Sequence, residues 1–119
     1  MKTSEIAQRL VELCREAKWE AAQRELYADE ARSIEAAAGP VFPQETRGLA
    51  AIIEKGRKFD AMVEQLHTIA VSAPLVADHS FACTMRMDVT MKGQGRFDLT
   101  ELCVYEVKDG KIVAERFHP

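Results

Sequence analysis

Residues 101–117 constrain the fold of this chain more than any other segment, because they have the pattern of two β-strands joined by Asp109 and Gly110. An Asp-Gly pair between alternating apolar residues is a strong signal for a tight hairpin turn. Side chains alternate along a strand, so Glu101 and Glu115 each share a face with apolar or aromatic neighbours. These neighbours are Cys103, Tyr105, Val107 and Phe117. Carboxylates on such a face predict the wall of a pocket rather than a solid core.

Length and composition limit the class of protein. A chain of 119 residues predicts one domain, residues 1–119, which can bury a core without disulfides or metals. Its net charge of −3 argues against nucleic-acid binding, which needs a basic face. No apolar run approaches the ~20 residues of a membrane span, the N-terminus lacks a secretory signal, and the three cysteines form no Cys-x-x-Cys pair. We expect a cytoplasmic protein that contacts neither nucleic acid nor membranes.

The first half of the chain predicts three helices. Thr3 or Ser4 can cap the first, and apolar residues then recur at helical spacing. A second, short helix covers residues 19–26. Thr46 can cap a third, with an apolar face over residues 49–59, while the charged run at residues 54–58 is expected to face solvent.

Strands are predicted between the second and third helices and throughout the second half. A turn at residues 29 and 30 precedes a strand at residues 31–36, and residues 37–45, with Gly39 and two prolines, form a loop. Four further strands follow, at residues 66–72, 81–91, 96–107 and 111–117. Helices segregated from an antiparallel sheet indicate an α+β fold.

Several side chains are candidates for binding a ligand in the predicted pocket. Tyr27 and Tyr105 offer hydroxyl groups on aromatic rings, and His67 shares a strand face with Ile69 and Val71. Methionine adapts to irregular ligands, although it also simply fills cores. The expected apolar walls are Phe59, Met62, Met85, Met87 and Phe117. No two histidines have the spacing of metal ligands, so no metal site is predicted.

Two segments carry a resemblance to a known family. "Leu-Tyr-Ala-Asp" at residues 26–29 and "Val-Tyr-Glu-Val-Lys-Asp-Gly-Lys-Ile" at residues 104–112 resemble the SnoaL-like family of the nuclear transport factor 2-like superfamily, which also holds ketosteroid isomerase and scytalone dehydratase. The resemblance implies a cystatin-like cone, in which three N-terminal helices pack on a strongly curved antiparallel sheet that encloses a pocket. It also implies a homodimer through the outer sheet face, where Leu102 and Val104 would lie.

A gap-free comparison with the isomerase motif implies only part of that enzyme's site. It places Glu35 at the position of the proton-abstracting carboxylate. The acid that stabilises the oxyanion falls on Cys103, a weak donor, and the oxyanion tyrosine falls near Leu10 or Val11, which donate nothing. Steroid isomerisation in its usual form is therefore not expected.

Three carboxylates remain as candidate catalytic groups. Glu35 is either a general base or an exposed residue at a strand end, and Glu101 and Glu115 are either partner acids or members of structural ion pairs. The first reading predicts a cofactor-independent isomerase, dehydratase or cyclase that acts on a small apolar carbonyl or hydroxyl compound. The alternative is a non-catalytic ligand-binding or dimerisation module of the same fold.

Overall fold

A computed structural model describes all residues, 1–119, as three helices that cover one face of a curved, unclosed sheet. The predicted α+β class is confirmed. In chain order the elements are α1 (Thr3–Arg15), α2 (Trp19–Leu26), β1 (Tyr27–Ile34), β2 (Glu45–Arg47), α3 (Leu49–Met62), β3 (Val63–Val71), β4 (Leu75–Val76), β5 (Ser80–Met91), β6 (Gly95–Lys108) and β7 (Lys111–His118). None of the three helices combines the length and the hydropathy that a membrane span requires.

The sheet has the strand order β2-β1-β7-β6-β5-β3, and β4 pairs with the edge of β5. Neighbouring strands are antiparallel except for β1 and β7, which run parallel. Parallel neighbours cannot be joined by a short turn, so the chain between β1 and β7 builds the rest of the sheet. As a result, Ser33 of β1 lies opposite Glu115 of β7 in the register, although 82 residues separate them.

The core lies between α1, α2 and the inner face of the sheet. Ile6 and Leu10 of α1, Leu26 at the end of α2, Ile52 of α3 and Ile112 of β7 are all at most 1% exposed. Burying one side chain of this size contributes about 1.5–3 kcal/mol relative to leaving it in water. The helices pack mainly against β1, β3 and β5, and the first part of β6, residues 95–100, is left exposed.

The hairpin turn and the alternation of the long strands are as predicted. Asp109 and Gly110 have φ values of 51° and 74°, the conformation that the Asp-Gly signal requires. On β5, alternate residues from Phe81 to Val89, which include the predicted wall residues Met85 and Met87, face the helices and the space beneath them.

Several predicted boundaries are wrong. No turn occurs at residues 29 and 30, because β1 begins at Tyr27 and accommodates those polar residues at an irregularity in its pairing with β7. Thr46 does not cap α3, since it pairs with Ser33 in the unpredicted strand β2. The helix starts instead after Gly48, which has φ of 93°. At α1 the N-cap is Lys2, whose backbone N–H donates to Glu5.

Candidate functional site

The space between the helices and the inner sheet face is a cavity of about 630 Å³. Of the 26 residues that line it, 17 are hydrophobic, and the lining includes two tyrosines and three carboxylates. This size and this ratio are typical of pockets for small organic molecules. The aromatic and methionine residues of the wall are Trp19, Tyr27, Phe42, Phe59, Phe97, Tyr105, Phe117, Met85, Met87 and Met91.

Glu115 is the most deeply buried acid of the cavity, with 5% of its surface exposed. The parallel pairing of β1 with β7 brings two hydroxyl groups to it: Ser33 Oγ donates to Oε2 at 2.6 Å, and the Tyr27 hydroxyl donates to Oε1. Burial raises the pKa of Glu115, and the two donors together with Lys55 offset part of that increase. A fully satisfied buried carboxyl is thus fixed at the floor of the cavity.

Lys55 of α3 links that floor to a second carboxylate. Its Nζ donates to Ser33 Oγ at 3.0 Å and lies 2.6 Å from Glu35 Oε1. The same Nζ lies 5.6 Å from the centre of the Phe117 ring, close enough for a cation–π contact. Only 15% of the Lys55 side chain is exposed. Glu35 is therefore held in an ion pair, an arrangement that neither of its two predicted alternatives, a general base or an exposed residue at a strand end, included.

Glu101 is the one carboxylate of the cavity without a partner in the chain. It lies opposite Met85 in the β5–β6 register, is half-buried, and makes no hydrogen bond or ion pair. Burial and the nearby charge of Glu35 raise the pKa of Glu101, while Lys55 lowers it. A carboxyl group with a raised pKa and no internal partner is available to a ligand.

The hydroxyl of Tyr105 is also unpaired. The ring stacks on Phe81 with the centroids 4.7 Å apart, and burial raises the pKa of the hydroxyl well above its ordinary value. Tyr105 lines the cavity, and its oxygen is not among the enclosed polar atoms that lack a partner. It therefore presents a neutral hydrogen-bond donor to the interior.

The structure brings most of the predicted site residues together around this cavity. Those that line it are Glu35, Glu101, Glu115, Tyr27, Tyr105, Phe59, Met85, Met87 and Phe117. Met62 does not reach it, because it ends α3 one turn beyond Phe59, where the chain passes into β3.

His67 is misplaced by the prediction. Strict alternation puts it on the face of Ile69, but the pairing of β3 with β5 shifts between Leu66 and Thr68. Such a bulge inserts one extra residue and reverses the order of the faces. The His67 ring consequently lies against Thr90, with Nε2 2.6 Å from Oγ1, and does not line the cavity.

The three thiols lie near the site, yet only Cys14 lines the cavity. Cys103, which the isomerase comparison placed at the oxyanion position, is paired across the sheet with Cys83 and is 1% exposed. Its hydrogen bond with Cys83 and its burial raise the pKa of Cys103. Burial raises the pKa of Cys14 to about 12. Leu10 lies in the cavity wall.

Sequence reasoning missed Lys55 and Ser33. The charged run at residues 54–58 predicts a solvated helix face, but Lys55 lies three residues after Ile52 and four before Phe59, which is the spacing of one face of a helix. Ser33 shares a strand face with Ala31 and Glu35. Neither Arg86 nor Arg116 pairs with an acid of the cavity, because Arg86 pairs with Asp98 and Arg116 with Glu106.

Comparisons with known proteins agree with this geometry. A structure from Mesorhizobium loti, described as a candidate SnoaL-like polyketide cyclase, is 32% identical, with both chains fully covered and a TM-score of 0.91. A candidate isomerase from Bacillus subtilis is 21% identical, with 97% of this chain and 84% of that chain covered and a TM-score of 0.72. A protein with a ketosteroid isomerase-like fold from Catenulispora acidiphila, solved with trimethylamine, is 16% identical, with 97% and 85% covered and a TM-score of 0.75. The last two show a shared fold alone.

No curated protein matches the chain. The model of the SnoaL-like domain matches residues 1–118, which is nearly the whole length. Together with the shared arrangement of helices, sheet and cavity, this match shows that the chain belongs to the SnoaL-like family and has the nuclear transport factor 2-like fold.

Proposed function

We propose that this protein is a cofactor-independent acid–base enzyme of the isomerase, dehydratase or cyclase type, and that Glu101 transfers the proton. Its ligand is a small apolar molecule that carries a carbonyl or hydroxyl group. The observation that carries the proposal is the position of Glu101, a carboxyl group that faces an apolar cavity and has no partner within the chain.

The surroundings of Glu101 suit proton transfer near neutral pH. A general acid or base works best when its pKa lies near the working pH, and burial moves the pKa of Glu101 in that direction. A carboxylate can remove a proton next to a carbonyl group, and the resulting enolate needs a positive charge nearby. Lys55, whose charge acts on Glu101, is the cation available in the cavity wall.

The other polar groups of the cavity either bind the ligand or hold the charged and hydroxyl groups of the wall in position. Glu35 keeps Lys55 in place through their ion pair, and Glu115 holds Ser33 and Tyr27. Tyr105 lies four residues from Glu101 on the same strand, a distance of roughly 13 Å along the backbone. Its free hydroxyl is therefore suited to anchoring the far end of a ligand.

Hydrogen exchange in a simple ketone tests the proposal. We expect the protein to speed the exchange of the α-hydrogens of 2-tetralone with D₂O, as followed by NMR. Glu101→Gln should slow this exchange by about 10²–10⁴-fold, the usual contribution of a positioned general base. Glu106→Gln is the matched control, because Glu106 is exposed on the outer face of the same strand. Exchange at the wild-type rate in E101Q would remove Glu101 from the mechanism.

A second candidate is a binding or dimerisation module without catalysis, and a feature of the outer sheet face favours dimerisation. Cross-strand pairing aligns Leu75, Ala82 and Val104 on that face, and Leu102 lies beside them with 43% exposed. A continuous apolar strip of this kind supports a homodimer through the outer face. Ketone binding without any exchange would favour the module. We also propose a cytoplasmic location, which the three unpaired thiols support.

A further inference from the structure

We propose that Lys55 is a covalent site of the cavity, where its amine condenses with an aldehyde or ketone to form an iminium. This inference rests on the proposed function, because it requires that a carbonyl compound enters the same cavity. It assigns a ligand class, apolar aldehydes and ketones, and a chemistry that proton transfer by Glu101 does not by itself require.

Lys55 differs from every other lysine of the chain in its surroundings. Its side chain is 15% exposed and lines the cavity, next to the Phe117 ring. The remaining lysines are exposed: Lys2, Lys18, Lys58, Lys92, Lys108 and Lys111. A carbonyl compound held by the apolar walls therefore meets one amine, and it meets that amine at high effective concentration.

The ion pair with Glu35 gives the amine a route to its reactive form. Lys55 Nζ lies 2.6 Å from Glu35 Oε1, within reach for direct proton transfer. An apolar ligand that fills the cavity expels water, and burying two charges without water is costly. Transfer of one proton converts the charged pair into a neutral amine and a neutral acid, which removes that cost. The nitrogen lone pair that this transfer releases is the nucleophile.

The condensation balances with the groups present. Glu35 takes a proton from the Lys55 ammonium, and the nitrogen lone pair forms a bond to the carbonyl carbon while the C=O π electrons move to oxygen. A proton then passes from nitrogen to that oxygen, and a neutral carbinolamine results. Glu35 returns its proton to the hydroxyl, the C–O bond breaks, water leaves, and the C=N bond forms. One carbonyl and one ammonium give one iminium and one water, with no oxidant or reductant.

The product stays compatible with the cavity. The iminium carries one positive charge, as the ammonium did, so Glu35 is again opposite a cation. An iminium withdraws electrons more strongly than a carbonyl and makes the adjacent C–H more acidic. Glu101, whose charge acts on the same lysine, is then the base that converts the iminium to an enamine.

Reductive trapping tests the site directly. The wild-type protein is mixed with cinnamaldehyde below one equivalent and treated with sodium cyanoborohydride, and the modified lysines are identified by peptide mass spectrometry. We expect modification at Lys55 at least about tenfold above that at any other lysine, as the effective concentration in a fitted pocket implies. Modification spread over the exposed lysines at equal or higher levels would overturn the inference.

Two variants and a competitor sharpen the result. Lys55→Arg keeps the positive charge but cannot form an imine, so the adduct should vanish, whereas Lys58→Arg, an exposed neighbour on the same helix, should leave it unchanged. Excess 2-tetralone should suppress the adduct in the wild type. An adduct on another lysine of comparable amount in K55R would refute the assignment, and the wild-type map decides the question even if K55R is unstable.

The failures of the two proposals are distinguishable. If Lys55 is not trapped but ketone exchange still depends on Glu101, the proposed function stands and the covalent site is wrong. If Lys55 is trapped but E101Q exchanges at the wild-type rate, the covalent site stands and Glu101 is not the base.

Discussion

Raising the pH from about 5 to 8 should destabilise this protein through two carboxyl groups of the cavity. Burial raises the pKa of Glu101 and of Glu115 in the folded state, whereas in the unfolded chain both titrate near 4.5. Between these values the folded protein holds protons that the unfolded chain has released. Stability from this source is complete below about pH 4.5 and is lost as the pH rises through the folded pKa values.

The size of the effect follows from the number of protons. Each extra proton on the folded state makes the free energy of unfolding fall by at most about 1.4 kcal/mol per pH unit. The two groups together therefore give a slope of at most about 2.7 kcal/mol per pH unit. The contribution of Glu115 should approach its limit, because it is buried, while that of half-buried Glu101 is reduced by solvent. The total free energy of unfolding of a domain is about 5–15 kcal/mol, so a loss of this many kcal/mol per pH unit is easily measured.

Urea unfolding at several pH values and constant ionic strength provides the assay, with the fluorescence of Trp19, the one tryptophan, as the signal. Glutamine resembles the protonated acid, so Glu101→Gln and Glu115→Gln should each flatten the dependence, and the double variant should remove most of it. Other acids such as Asp88, whose pKa is lowered by its hydrogen bonds with Arg96, titrate below this window.

Glu106→Gln serves as the control, since Glu106 is exposed on the opposite face. A wild-type stability that is constant or rises over this range would contradict the reasoning. An unchanged slope in the double variant would show that other groups carry the protons.

Two further predictions concern the core and the outer face. Ile112→Ala should lower the free energy of unfolding, measured by urea titration, by about 2–5 kcal/mol, because Ile112 is fully enclosed. Leu99→Ala is the control at an exposed position and should change this free energy by less than about 0.5 kcal/mol. Leu102→Glu places a charge in the apolar strip and should convert a dimer to monomers in analytical ultracentrifugation, with Glu64→Gln on the edge strand β3 as the control. A wild-type protein that is already monomeric, or a variant that remains dimeric, would rule out this interface.

The hairpin and the inner face of β5 were predictable because their signals are local. The Asp109-Gly110 turn depends on two adjacent residues, and Met85 and Met87 follow from alternation along one strand. Glu101 was assigned inward on the same ground. These predictions needed no knowledge of which strand pairs with which.

The centre of the site was not predictable, because it depends on distant pairings. The parallel register of β1 and β7 sets Ser33 beside Glu115, and the packing of α3 on β1 brings Lys55 to both Ser33 and Glu35. The position of His67 also depends on a distant pairing, because the bulge in the pairing of β3 with β5 moves its side chain to the other face of the sheet. Neither the parallel register nor the bulge has a signature in the residues themselves, whereas the helical spacing of Lys55 with Ile52 and Phe59 indicates its face but not its partners.

The parallel pairing of β1 with β7 also governs when the cavity floor can exist during synthesis. Glu115 must leave the ribosome before Tyr27 and Ser33 can bond to it. The helices and β1 are therefore synthesised well before β7, the strand that completes the cavity floor. Closing so long a loop makes this a late and slow contact. A nascent chain that stalls before β7 would carry a half-built sheet with open edges, which is the stage at which a chaperone or a protease has most to recognise.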